Sequence, residues 1–285
     1  MRIRNGASLD PGEVIDARGG GLPRGVFLGG GGGLGLVALV LLLVFGVFNG
    51  GGSSTSSDAT SDLASRCTTG AAADQSADCR VVAVVNSVQD YWTSALPSRG
   101  VKYANAPTVL YTDATESGCG VASSATGPFY CPADKRVYLD LSFFDDLRTQ
   151  LGAQGGEFAQ AYVIAHEYGH HVQDLLGVFD RIGTPTEGPT GTSVRLELQA
   201  DCYAGVWAHH AQDSNIIQDV TPADVNDALN AAAAVGDDRI QREETGKVAP
   251  DNFTHGTSDQ RDRWFTNGYT SGDLSACDTF GASSL

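Results

Sequence analysis

Residues 161–173 read AYVIAHEYGHHVQ, and no other stretch limits the fold of this chain as tightly. Three of the six histidines lie within six positions. Apolar residues Phe158, Ala161, Tyr162, Ala165, Val172 and Leu176 recur at helical spacing, which predicts a helix over 157–176 with one buried stripe. On that helix His166 and His170, four residues apart, stand one above the other and can hand two ring nitrogens to one metal ion. Glu167 is rotated about 100° from His166 and so faces water beside the metal instead of the metal itself. This division of labour is that of a zinc hydrolase: zinc lowers the pKa of water to about 7, and the glutamate takes the proton.

A catalytic zinc needs a third protein ligand. The segment Ser193–His210, SVRLELQADCYAGVWAHH, carries Glu197 and Asp201 four apart on one helical face, beside an apolar stripe of Leu196, Ala200, Tyr203 and Trp207. Carboxylates flanked by apolar residues suit a ligand, Glu197, and a supporting partner, Asp201, which accepts a hydrogen bond from a ligating histidine and fixes its tautomer. His171 points about 100° away from His170 and is read as a hydrogen-bonding residue. His209 and His210 lie about 18 Å past Glu197 along a continuous helix and are read as structural. His255 sits in the loop Asn252-Phe-Thr-His-Gly-Thr-Ser, before a Gln260-Arg-Asp-Arg-Trp-Phe helix. It is the candidate donor to a tetrahedral oxyanion, with Arg261 behind it.

The rest of the chain sets the context. Val26–Phe48 is 23 residues without a charge, and about 20 suffice to cross the hydrocarbon core as a helix. Arg2, Arg4, Arg18 and Arg24 precede this run and no Lys or Arg follows it until Arg66. A single-pass anchor with a cytoplasmic segment 1–25 and an extracytoplasmic body is therefore expected. Residues 49–62, rich in Gly, Ser and Thr, read as a flexible linker, and 63–285 as the folded domain. All six cysteines lie beyond the apolar run, in keeping with an oxidising compartment. Short loops close at least entropic cost, which favours Cys67–Cys79 and Cys119–Cys131 and leaves Cys202 to Cys277. The net charge of −16 sits almost wholly past residue 49 and repels phosphate backbones, so nucleic acid is not an expected partner.

Short runs rich in β-branched and aromatic residues (Pro107–Thr112, Pro128–Cys131, Arg136–Leu141) predict strands, with Pro132-Ala-Asp-Lys turning two of them into a hairpin. Helical spacing over 79–96 predicts a helix before them, and helices follow from residue 157, with Thr221-Pro222 opening one as cap and first-turn proline. The fold class expected is α+β: a small antiparallel sheet packed on a helical core and preceded by one transmembrane helix.

Four stretches in order, HEYGHHVQ, ELQADCYAGVWA, ALNAAAAVGDDRIQ and FTHGTSDQRDRWF, resemble the neutral zinc metallopeptidase family, membrane-anchored bacterial proteins similar in pattern to gluzincins. The resemblance covers about residues 60–280. It implies a zincin-like peptidase fold, one zinc ion held by His166, His170 and Glu197, Glu167 as general base, and protein or peptide substrates. Two other readings fit the residues: a zinc-containing envelope scaffold without turnover, and a zinc amidase acting on cell wall.

Overall fold

Periodicity divides the chain much as the sequence suggests: among the described residues all strands but one lie before residue 141, and most of the long helices lie after it. The computed structural model describes residues 1–18 and 60–285. The predicted span at 26–48, and the linker up to residue 59, lie outside the described residues. Among the described residues no helix is long and apolar enough to cross a membrane. In chain order the elements are β1 (Arg2–Ile3), β2 (Val14–Asp16), α1 (Thr60–Arg66), α2 (Gly70–Ala73), α3 (Ala77–Ala95), β3 (Thr108–Tyr111), β4 (Ala114–Ser117), β5 (Gly120–Ser123), β6 (Phe129–Cys131), β7 (Arg136–Asp140), α4 (Phe143–Thr149), α5 (Glu157–Leu175), α6 (Val178–Ile182), α7 (Thr192–His210), β8 (Ile217–Gln218), α8 (Pro222–Ala234), α9 (Asp237–Thr245) and α10 (Ser258–Ser271).

The class is α+β, but the main sheet is mixed and not antiparallel as expected. Its order is β2-β3-β7-β6, with β2–β3 and β3–β7 parallel and only β6–β7 antiparallel. Connection lengths explain the difference. A four-residue turn, Pro132–Lys135, joins β6 to β7 and forces them antiparallel, whereas the long excursions between β2 and β3 and between β3 and β7 permit parallel pairing. Successive residues of these strands face opposite ways. Leu110, Tyr130, Val137 and Leu139 enter the core shared with the helices. Val109, Tyr111, Phe129 and Tyr138 join Cys119, Ala122 and Cys131 in a second, smaller core. The β4–β5 hairpin supplies part of that second core, and Cys119–Cys131 ties it to β6.

Residues 1–18, expected as part of a cytoplasmic segment 1–25, pack against the body of the fold. β2 lies in the sheet beside β3, and β1 pairs with β8. Ile3, Ala7, Leu9 and Val14 are buried in the common core. The amide of Asn86 on α3 clamps the chain, accepting from Asp10 N at 2.7 Å and donating to Asp10 O at 3.0 Å and to Glu13 Oε2 at 2.6 Å. A Cβ on Gly70 would come within 2.0 Å of Arg4 O, so only glycine allows this approach. α1 begins at Thr60, inside the stretch 49–62 read as a linker.

Three helices set the site. α7 lies between α5 and α10, and glycines let all three approach closely. A Cβ on Gly169 of α5 would sit 2.9 Å from Ala200 O of α7. Cβ atoms on Gly205 and Gly268 would sit 2.1 Å from Phe265 O and 2.0 Å from Cys202 O, so α7 and α10 cross glycine against backbone. Cys202–Cys277 then fastens α7 to the segment after α10, and Cys67–Cys79 completes the three expected disulfides. α5 docks on the sheet through Tyr168, whose hydroxyl donates to Ala106 O at 2.7 Å and lies 3.0 Å from Thr108 Oγ1.

Candidate active site

The close approach at Gly169 brings the histidines of α5 against the acids of α7. His166 Nε2 lies 3.1 Å from Glu197 Oε2, and His170 Nε2 lies 3.4 Å from Glu197 Oε1. One ligand atom from each of the three residues falls within 4.8 Å of the others, and all three side chains are buried. Two imidazoles and a carboxylate are the donor set of a His₂Glu zinc site, so these residues fit the ion that the sequence implies. The electrostatics agree. Burial alone would lower the pKa of His166, but the carboxylates of Asp201 and Glu197 outweigh it and push it up to about 10. Burial would raise Glu197, yet His170 and His166 hold it well below the usual carboxylate range. The cluster therefore favours a positive charge at its centre.

Behind the donors stands a network that fixes ring orientation. Asp201 Oδ1 lies 2.9 Å from His166 Nδ1, and Asp201 also accepts from Arg261 Nε at 2.8 Å and Nη2 at 2.9 Å. The Tyr162 hydroxyl donates to the same Oδ1 at 2.5 Å. Burial would raise the Asp201 carboxyl, but the Arg261 guanidinium and His166 hold it down to about 2. Arg261 thus sits behind Asp201, whereas the sequence placed it behind His255. On the other histidine, Gln173 Oε1 lies 2.8 Å from His170 Nδ1, and the Gln173 amide donates to Leu196 O at 2.8 Å. Each imidazole has one nitrogen tied back and the other turned toward Glu197.

Glu167 and His255 border the same cavity as the three donors. Burial raises the Glu167 carboxyl above its ordinary value, toward the range of a working base. His255 is held from behind by Asp237, whose Oδ2 accepts from the backbone N–H groups of Thr254, His255 and Gly256 at 2.7, 2.7 and 2.9 Å. Asp237 Oδ1 lies 3.3 Å from His255 Nδ1, which leaves Nε2 as the nitrogen available to the cavity. Burial would lower the His255 imidazolium, and Asp237 more than offsets it, so its pKa is raised. Phe143, Leu151, Val163, Val235 and Ile240 make the remaining wall largely apolar.

His171 does not join the donors. Its Nε2 lies 2.6 Å from Ala104 O and its Nδ1 lies 3.0 Å from the Tyr130 hydroxyl, which pins α5 to β6. His209 and His210 bond to Tyr269 O and Gly272 O, away from the cavity. Sequence reasoning missed Tyr162, Gln173 and Asp237. Tyr162 passed as one more apolar stripe residue. Gln173, three residues after His170 on the same helix, carried a usable signal. Asp237, 18 residues before the histidine it holds, carries no local signal of that contact.

A His-Glu-x-x-His helix completed by a glutamate from a second helix is a group that could hold a metal ion. The chain belongs to the family described as "Putative neutral zinc metallopeptidase", which matches residues 3–280 and so includes β2, before the apolar run. Uncharacterized protein Rv2575 of Mycobacterium tuberculosis (strain ATCC 25618 / H37Rv) is 51% identical over 228 residues, 78% of this chain and 76% of that protein. Uncharacterized protein YpfJ of Escherichia coli (strain K12) is 48% identical over 205 residues, 70% of each chain. No solved structure matches.

Proposed function

We propose that the chain is a zinc-dependent endopeptidase acting on protein or peptide substrates outside the cytoplasm, attached to a membrane through residues 26–48. The observation that carries this reading is the convergence of His166, His170 and Glu197 beside Glu167 in one cavity. A bound zinc ion would polarise the scissile carbonyl and acidify water. Glu167 would take a proton from the attacking water and deliver it to the departing amine. His255, oriented by Asp237, donates a hydrogen bond to the oxygen on which negative charge develops. Asp201, Tyr162 and Arg261 hold His166 in position, and Gln173 does the same for His170. Three disulfides support an oxidising compartment.

The test is a digest of a peptide library and of a denatured protein by the zinc-loaded full chain, with purified murein in parallel. Cleavage of peptides that stops on chelation supports the reading. Release of murein fragments without peptide cleavage would favour the amidase, and no turnover on either would favour a scaffold. Within the same assay His255→Ala is expected to lower kcat by about 10²- to 10³-fold with KM and zinc content little changed. An unchanged kcat would end the oxyanion role.

A further inference from the structure

Arg18 is the last described residue before the segment 19–59, and Arg66 closes the first helix after it. Both reach one carboxylate. Arg18 Nη1 and Nη2 donate to Asp78 Oδ1 and Oδ2 at 2.9 Å each, and Arg66 Nη2 approaches Asp78 Oδ2 at 3.4 Å. α1 also packs against β2. The chain therefore leaves the domain and rejoins it at the same corner.

This juxtaposition conflicts with a single crossing between the two points. A bilayer's hydrocarbon core separates the ends of a spanning helix by about 30 Å, whereas paired strands lie about 4.8 Å apart. β2 pairs with β3 through Val14↔Thr108, Ile15↔Val109 and Asp16↔Leu110. β1 pairs with β8 at Arg2↔Gln218 and Ile3↔Ile217. Leu9 N donates to Thr68 O at 3.0 Å, and Gly70 N to Ala7 O at 2.9 Å. None of these contacts can form through lipid. Two of the four arginines counted toward a cytoplasmic amino end have partners in the fold: Arg18 is bound by Asp16 and Asp78, and Arg2 pairs with Asp219 at 3.3 Å.

We infer that residues 1–18 and the metallopeptidase body lie on the same side of any membrane that the apolar run engages. This replaces the expected single pass with a cytoplasmic amino end. It rests on the proposed function only for which side that is.

The six native cysteines are all in disulfides, so an introduced cysteine is the one free thiol. Gly6 is exposed, and a Cβ there would meet nothing within 4 Å, while Thr93 is an exposed position of the body on α3. Full-length Gly6→Cys and Thr93→Cys chains would be labelled with a membrane-impermeant maleimide in bacterial spheroplasts, before and after permeabilisation, with Arg4→Cys as a second amino-proximal position. Equal labelling of all three in intact spheroplasts is the expected result. Protection of all three until permeabilisation would also support the shared side, while contradicting the extracytoplasmic reading. Labelling of Thr93→Cys in intact spheroplasts, with both amino-proximal thiols reached only after permeabilisation, would overturn the inference.

Discussion

Glu167→Gln is expected to leave zinc content unchanged while lowering peptide hydrolysis by at least about 10²-fold, the lower end of what a positioned general base contributes. The amide matches the carboxylate in shape, and none of the three donors is altered. Glu167 borders the cavity but is not among the groups whose atoms converge on the metal position. Its buried carboxyl is raised above its ordinary value, which suits a group that must take a proton and return it. Metal content by mass spectrometry and kcat/KM on the same preparation check the point. Activity within tenfold of the unaltered protein would remove Glu167 from the mechanism.

Arg261→Leu is expected to cost about 3–5 kcal/mol of stability, because it strips a bidentate partner from a carboxylate that has no access to solvent. Asp201 would keep only Tyr162 and His166. For a domain of this size the thermal midpoint should fall by on the order of 10 °C. Arg263→Leu, two residues on and exposed, should move it little. The sign of the pH dependence follows from Asp201, whose carboxyl is held at about 2 against an ordinary 3.8. Its contribution is complete above 3.8 and is lost as pH falls from there through about 2. The difference in midpoint between the two variants should therefore shrink in strong acid. A midpoint for Arg261→Leu equal to that of Arg263→Leu at neutral pH would show that the buried pair does not hold the helices together.

Local pattern carried much of this site into view. The spacing of His166 and His170 and of Glu197 and Asp201 depends only on the helical repeat, and both helices form where the apolar stripes place them. The β6–β7 hairpin follows from its turn, with Lys135 at φ 58°. Non-local pairing stayed hidden. Val14 and Ile15 are two apolar residues in a polar stretch, too short to announce a strand, and their partners lie more than 90 positions away in β3. Asp237 acts through backbone N–H groups of a distant loop, a role no periodicity encodes. The glycines Gly169, Gly205 and Gly268 weaken helix propensity when viewed locally. Their purpose appears only when the facing backbones are known.

The assignment of the metal centre is tested most directly by zinc content after chelation and reloading, measured in parallel on the unaltered protein, Glu197→Ala and His255→Ala. A catalytic zinc with three protein ligands loses affinity steeply with two. About one zinc per chain is therefore expected in the unaltered protein and in His255→Ala, with little or none in Glu197→Ala. Full zinc retention in Glu197→Ala, or its loss in His255→Ala, would contradict the centre formed by His166, His170 and Glu197.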